Sequence, residues 1–105
     1  MSVFLKIARF EGGDADLGQR LPMTEAHLEA AVARQPRFRL LRQDGAIGVR
    51  VLSNEVAVYD GEKLQCQLDH DTDIDRLSEA LCELAALIPD AVVRDEQGNT
   101  ITSCK

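Results

Sequence analysis

The apolar pattern of the chain switches between a period of two and a period near 3.6, and the switches divide it into elements. Residues 2–10 read as a strand. Val3, Leu5 and Ile7 share one face; Phe4, Ala8 and Phe10 share the other, with Lys6 among them. Both faces are apolar, which predicts a strand covered on two sides or lying near a partner. Residues 11–22 carry Gly12, Gly13, Gly18 and Pro22 and predict a loop long enough to be mobile or functional. Thr24 then reads as a helix N-cap with Glu25 in the first turn, and Leu28, Ala31 and Val32 form an apolar stripe. Pro36 stops this helix, which spans about 24–35.

From residue 37 to 68 the period is two. Phe38, Leu40 and Arg42 alternate with Arg37, Arg39 and Leu41. Asp44-Gly45 is a strong two-residue hairpin turn, because both central positions of a type I′ turn need positive φ. Ile47, Val49 and Val51 share a face, and after a second turn at Ser53-Asn54 the pattern predicts Val56 and Val58 on that same face. Asp60-Gly61-Glu62 is a third turn, and Leu64, Cys66 and Leu68 alternate with Lys63, Gln65 and Gln67. A second helix is expected over about 72–88. Thr72 is its cap, Asp73 and Asp75 lie in its first turn, and Ile74, Leu77, Leu81, Leu84 and Ile88 form its stripe before Pro89. Residues 91–94 and 100–102 predict a short hairpin turning near Gly98-Asn99, followed by a frayed tail. The fold class is therefore α+β: a two-layer sandwich in one domain. Its sheet holds a four-stranded antiparallel meander (about 37–68), an N-terminal strand and a C-terminal hairpin, with two amphipathic helices on one face.

Turn lengths set cross-strand register. A two-residue turn at Asp44-Gly45 pairs Gln43 with Ala46, and so Leu40 with Val49 and Arg39 with Arg50. A two-residue turn at Ser53-Asn54 then places Arg50 beside Ala57, and a three-residue turn after Tyr59 places Gln65 beyond Ala57. One row of the polar face is thus expected to read Arg39, Arg50, Ala57, Gln65, and its neighbour Leu41, Gly48, Tyr59, Lys63. Like charges directly opposite are unfavourable. A cationic patch stands out in a chain whose formal net charge is −6.

That charge argues against nucleic acid and against anionic membranes as partners, since both are held mainly by Lys and Arg. With 105 residues and 45% hydrophobic composition, the chain can build a core without disulfides or metal. Cys66, Cys82 and Cys104 are widely spaced and form no CxxC pair, so free thiols in a reducing compartment are the simple expectation. Charge interrupts the N-terminus, and no apolar run approaches a membrane span. The expected location is cytoplasmic.

No motif supplies a cofactor or metal site. The alternating acids of Asp69, Asp71, Asp73 and Asp75 resemble the start of an EF-hand loop. But Ile74 stands where that loop needs Gly, and Ala80 where it needs Glu. These acids suit the positive end of the following helix. His27 and His70 have no partner at ligand spacing, and Cys66 falls on the core face. Gly12-Gly13 precedes acids rather than a lysine, unlike a phosphate-binding loop.

The functional expectation is a non-enzymatic protein-interaction module: an adaptor, a regulator or an inhibitor of a basic partner. It would use Arg39, Arg50, Tyr59, Lys63 and Gln65, with a homodimer as one form of the contact. The second reading is a small-anion binding domain using the Arg39 and Arg50 guanidinium groups. A weaker third is an enzyme using a cysteine, His27 or the loop at 11–22.

Overall fold

The computed structural model describes residues 3–68 and 71–101. The chain runs β1 (Val3–Phe10), a short 3-10 turn (Glu11–Gly13), β2 (Arg20–Leu21), α1 (Glu25–Arg34), β3 (Arg39–Gln43), β4 (Ala46–Leu52), β5 (Glu55–Tyr59), β6 (Leu64–Leu68), α2 (Ile74–Ala86), β7 (Ala91–Asp95) and β8 (Thr100–Ile101). All strands join one antiparallel sheet in the order β3-β4-β5-β6-β1-β7-β8, with β2 pairing the end of β1. The meander and the C-terminal hairpin are therefore stitched together by β1, which lies between β6 and β7. Leu5 and Ile7 on its helix side are buried, and so are Ala8 and Phe10 on the other. Among the described residues no helix is long and apolar enough to cross a membrane.

Both helices cover one face of the sheet. Leu28 and Ala31 of α1 and Leu77, Leu81 and Leu84 of α2 form one core with Ile7, Val49, Ala57, Leu64, Cys66 and Val93. Burial of these side chains from water is the main driving force for that packing. The α2 stripe matches expectation except at its ends. Ile74 is 53% exposed, because Asp73 rather than Thr72 caps the helix, its carboxylate accepting from Arg76 N at 3.2 Å. Ile88 is buried just past the last turn. At α1, His27 takes the role usually filled by Glu in a capping box, its Nδ1 accepting from Thr24 N at 3.0 Å.

The loop at 11–22 is closed rather than open. Glu11 N donates to Gln19 O at 2.8 Å, and Asp14 Oδ1 accepts from Asp16 N and Leu17 N. Gly18 is required there: a Cβ would sit 2.2 Å from Glu11 O.

The first meander turn is as expected, with Asp44 at φ 52° and Gly45 at φ 81°. The next register is not. Leu52 pairs with Glu55, as a two-residue Ser53-Asn54 turn demands, but Arg50 pairs with Val56. Val51 is the extra residue, a β-bulge in β4. One residue of slip flips every later side chain. Val49 therefore faces Ala57, and Ile47 faces Tyr59, so Ala57 and Tyr59 turn toward the core while Val56 and Val58 turn out. The expected placement of Val56 and Val58 in the core is corrected accordingly.

Truncating Leu84, fully buried, to Ala should cost about 2–5 kcal/mol in urea unfolding. Ile74→Ala should stay within about 0.5 kcal/mol. Equal losses would contradict the assigned inner face of α2.

Candidate functional site: the exposed sheet face

Alternation along each strand sends every second side chain away from the helices. On β3 and β4 these positions bring Arg39 directly opposite Arg50, as the turn arithmetic predicts, and both are exposed. Four ion pairs occur among the described residues, and neither arginine is in one. Glu55 of β5 lies beside Cys66, Oε2 to Sγ 3.9 Å, and is in no ion pair with either arginine.

The remaining expected site residues divide. Ala57 is replaced beside Arg50 by Val56, which packs over Gly48; a Cβ there would meet Val56 Cγ1 at 2.9 Å. Tyr59 leaves the face altogether. It pairs with Ile47 and Leu64, and its hydroxyl donates to Met23 O at 2.5 Å, tying the sheet to the segment before α1. Burial, with Glu25 and Asp60 nearby, pushes its pKa up. The turn after β5 is one residue shorter than expected: Asp60 pairs with Lys63 through Asp60 N and Lys63 O, with Gly61 at φ 97°. Gln65 consequently lies opposite Val58, not Ala57. Lys63 donates to Asp60 Oδ2 at 2.8 Å, and this bond, with backbone N–H groups of Glu62 and Lys63, holds the Asp60 carboxyl at about 2.

Pairing across β1 adds cations that turn arithmetic cannot reach. Lys6 is opposite Gln65 on one side and Arg94 on the other. A second like-charge pair thus stands on the same face. Its charges have no carboxylate partner among the described residues. Lys6 Nζ lies 5.9 Å from the Phe4 ring centroid, and Arg94 donates to Gly98 O from Nε (3.0 Å) and Nη2 (2.5 Å). Arg94 and Arg20 each hold a guanidinium 5.5 Å from the Phe10 ring, so cations rather than a second layer cover this side of β1.

Between the two cationic wings, β5 and β6 are joined by only Val58–Gln65 and Tyr59–Leu64. Beyond those pairs the strands part. A groove of about 470 Å³ opens there, lined by Asn54, Glu55, Val56, Val58, Asp60, Gln65 and Gln67.

The chemical alternatives find little support. Burial, reinforced by Glu55, pushes the Cys66 thiol up to about 11, so it is a neutral core group. Cys82 is disulfide-bonded and Cys104 lies outside the described residues. Cys82 faces β8, its Sγ 3.9 Å from Ile101 O. The expectation of three free thiols is corrected at Cys82, and the inference to a reducing compartment loses its premise. Burial, with Arg9 adding to it, lowers the pKa of His27, consistent with an Nδ1 that accepts a capping hydrogen bond. Among the described residues no three His, Cys, Asp or Glu side chains converge as metal ligands would; Asp69 and His70 lie outside them.

The chain matches no family model, no curated protein and no solved structure.

A folded pKa above the ordinary 9.0 means the neutral Cys66 thiol contributes stability in full below pH 9. That contribution is lost as the pH rises toward about 11. At pH 8, Cys66 in the native protein should react with a thiol reagent far more slowly than in the denatured protein. Equal rates would show an accessible, activated thiol.

Proposed function

We propose that the chain is a protein-interaction module that binds through the exposed face of its sheet, and that the surface it contacts is acidic. The carrying observation is the Arg39–Arg50 pair: two arginines directly opposite each other, exposed, with no ion pair among the described residues. Such a pair costs stability in the free protein and is relieved by a partner's carboxylates. The partner's charge is the point at which this reading departs from the net charge. The helix side holds Glu25 and Glu29 against Arg42, and Glu83 against Arg37, so acids there already neutralise the cations beside them. On the sheet face Arg39 and Arg50 have no such carboxylate among the described residues.

A small-anion site is the weaker reading, because the groove between β5 and β6 is lined by neither Arg39 nor Arg50. A symmetric homodimer through this face is also weaker. A two-fold axis at the groove would bring one copy's cationic wing onto the other's.

Replacing Arg39 and Arg50 together by Glu tests the proposal. Both side chains are exposed, so the variant should melt close to the wild type. Native mass spectrometry of tagged protein recovered from its host should show a protein partner on the wild type and lose it from the variant. Partners retained in full by the variant would overturn the proposal.

A further inference from the structure

We infer that this face takes an extended segment of a partner protein in which two acidic clusters flank a short apolar centre; this rests on the protein-interaction reading above. Three features of the face lead to it. The first is that cations are clustered at two places rather than spread evenly. Arg39 and Arg50 mark β3 and β4; Lys6 and Arg94 mark β1 and β7. In the strand order these pairs are four strand spacings apart, roughly 19 Å at the usual separation of neighbouring strands. An extended peptide covers that distance in about six residues.

The second feature is what lies between. The centre of the face is apolar and amide-rich, not cationic. Val58 is 52% exposed, Val56 is half-buried, and Gln65 and Gln67 line the groove with them. Of the two carboxylates at the groove, Asp60 is paired with Lys63, while Glu55 has only the neutral Cys66 thiol beside it and no ion pair among the described residues. Acidic residues of a bound segment are therefore favoured over the wings and disfavoured over the centre, where an apolar side chain can cover Val56 and Val58.

The third feature is the open edge. Residues 55–57 of β5 and 66–68 of β6 have no ladder partner on each other, so backbone groups and two glutamine amides border the groove. Because the segment runs across the strands rather than along them, it adds no strand here; these groups offer it hydrogen-bond partners only at the point where it crosses the groove.

These features favour a peptide over a nucleic acid. A phosphate backbone carries a charge at every nucleotide and would run its middle over valines and carboxylates. Single strands also need aromatic platforms. None of the chain's aromatic residues is exposed: Phe10 and Phe38 are buried, and Phe4 and Tyr59 are half-buried.

The test uses a fluorescent peptide of about ten residues with a glutamate pair near each end and a leucine between them. One-ended versions and a DNA duplex of similar length serve as comparisons. Fluorescence anisotropy is read on the wild type, Arg50→Gln and Lys6→Gln, each variant checked by its melting temperature. Arg50 is exposed, so it stands as the readout should Lys6→Gln disturb β1. The two-ended peptide should bind. Removing either glutamate pair, or either cation, should weaken it about tenfold, and more salt should weaken it further. Equal binding of one-ended and two-ended peptides would overturn the inference, as would a duplex that binds more tightly than the peptide. If no peptide binds but the partner recovered from the host still depends on Arg39 and Arg50, this inference falls and the interaction reading survives. If that dependence is also absent, both fall.

Discussion

One residue of additional length in β4, at Val51, decides which chemistry this protein presents to solvent. Side chains on a strand alternate with a period of two, so the bulge exchanges the inward and outward sets of all that follows in β5. Ala57 and Tyr59 enter the core side; Val56 and Val58 leave it. Neighbouring residues fit this exchange. Gly48 has no Cβ because Val56 occupies that space, and the Tyr59 hydroxyl finds Met23 O once it points inward. Val51 itself stays buried, with Leu52 packed against the same core, so the bulge adds apolar contact where it breaks the ladder.

The second organising feature is the separation of charge. Carboxylates of α1 and α2 pair with Arg42 and Arg37 at the helix layer, while the opposite face of the sheet carries Arg39, Arg50, Lys6, Arg94 and Arg20 with no carboxylate partner among the described residues. A chain of net charge −6 is thus cationic on one side. The fold tolerates the two like-charge pairs because their neighbours are water and, at β1, aromatic rings. A face that is costly when bare and apolar at its centre is suited to being covered.

Local patterns made most of the architecture legible. Asp44-Gly45 demands positive φ at both positions, and that alone placed Arg39 opposite Arg50. The stripe from Leu77 to Leu84 named the inner face of α2. What could not be read depended on single residues or on distant pairing. Nothing in Val49-Arg50-Val51-Leu52 announces a bulge, because alternating apolar residues fit either register. Asp60-Gly61-Glu62 fits a two- or a three-residue turn, and the shorter one moved Gln65 from Ala57 to Val58. Lys6 was visible as an odd charge in an apolar strand. Its pairing with Arg94 links residues far apart in sequence, a contact no turn length specifies.

The bulge is the central claim, and Val58 reports on it most directly. With Val51 as an extra residue Val58 points to water; without it, Val58 would lie in the core where the simple alternation puts it. The measurement is the urea unfolding midpoint of Val58→Lys. The account predicts a change within about 1 kcal/mol, as for an exposed strand position. A loss of several kcal/mol, as expected for an unpaired charge forced into the core, would contradict it.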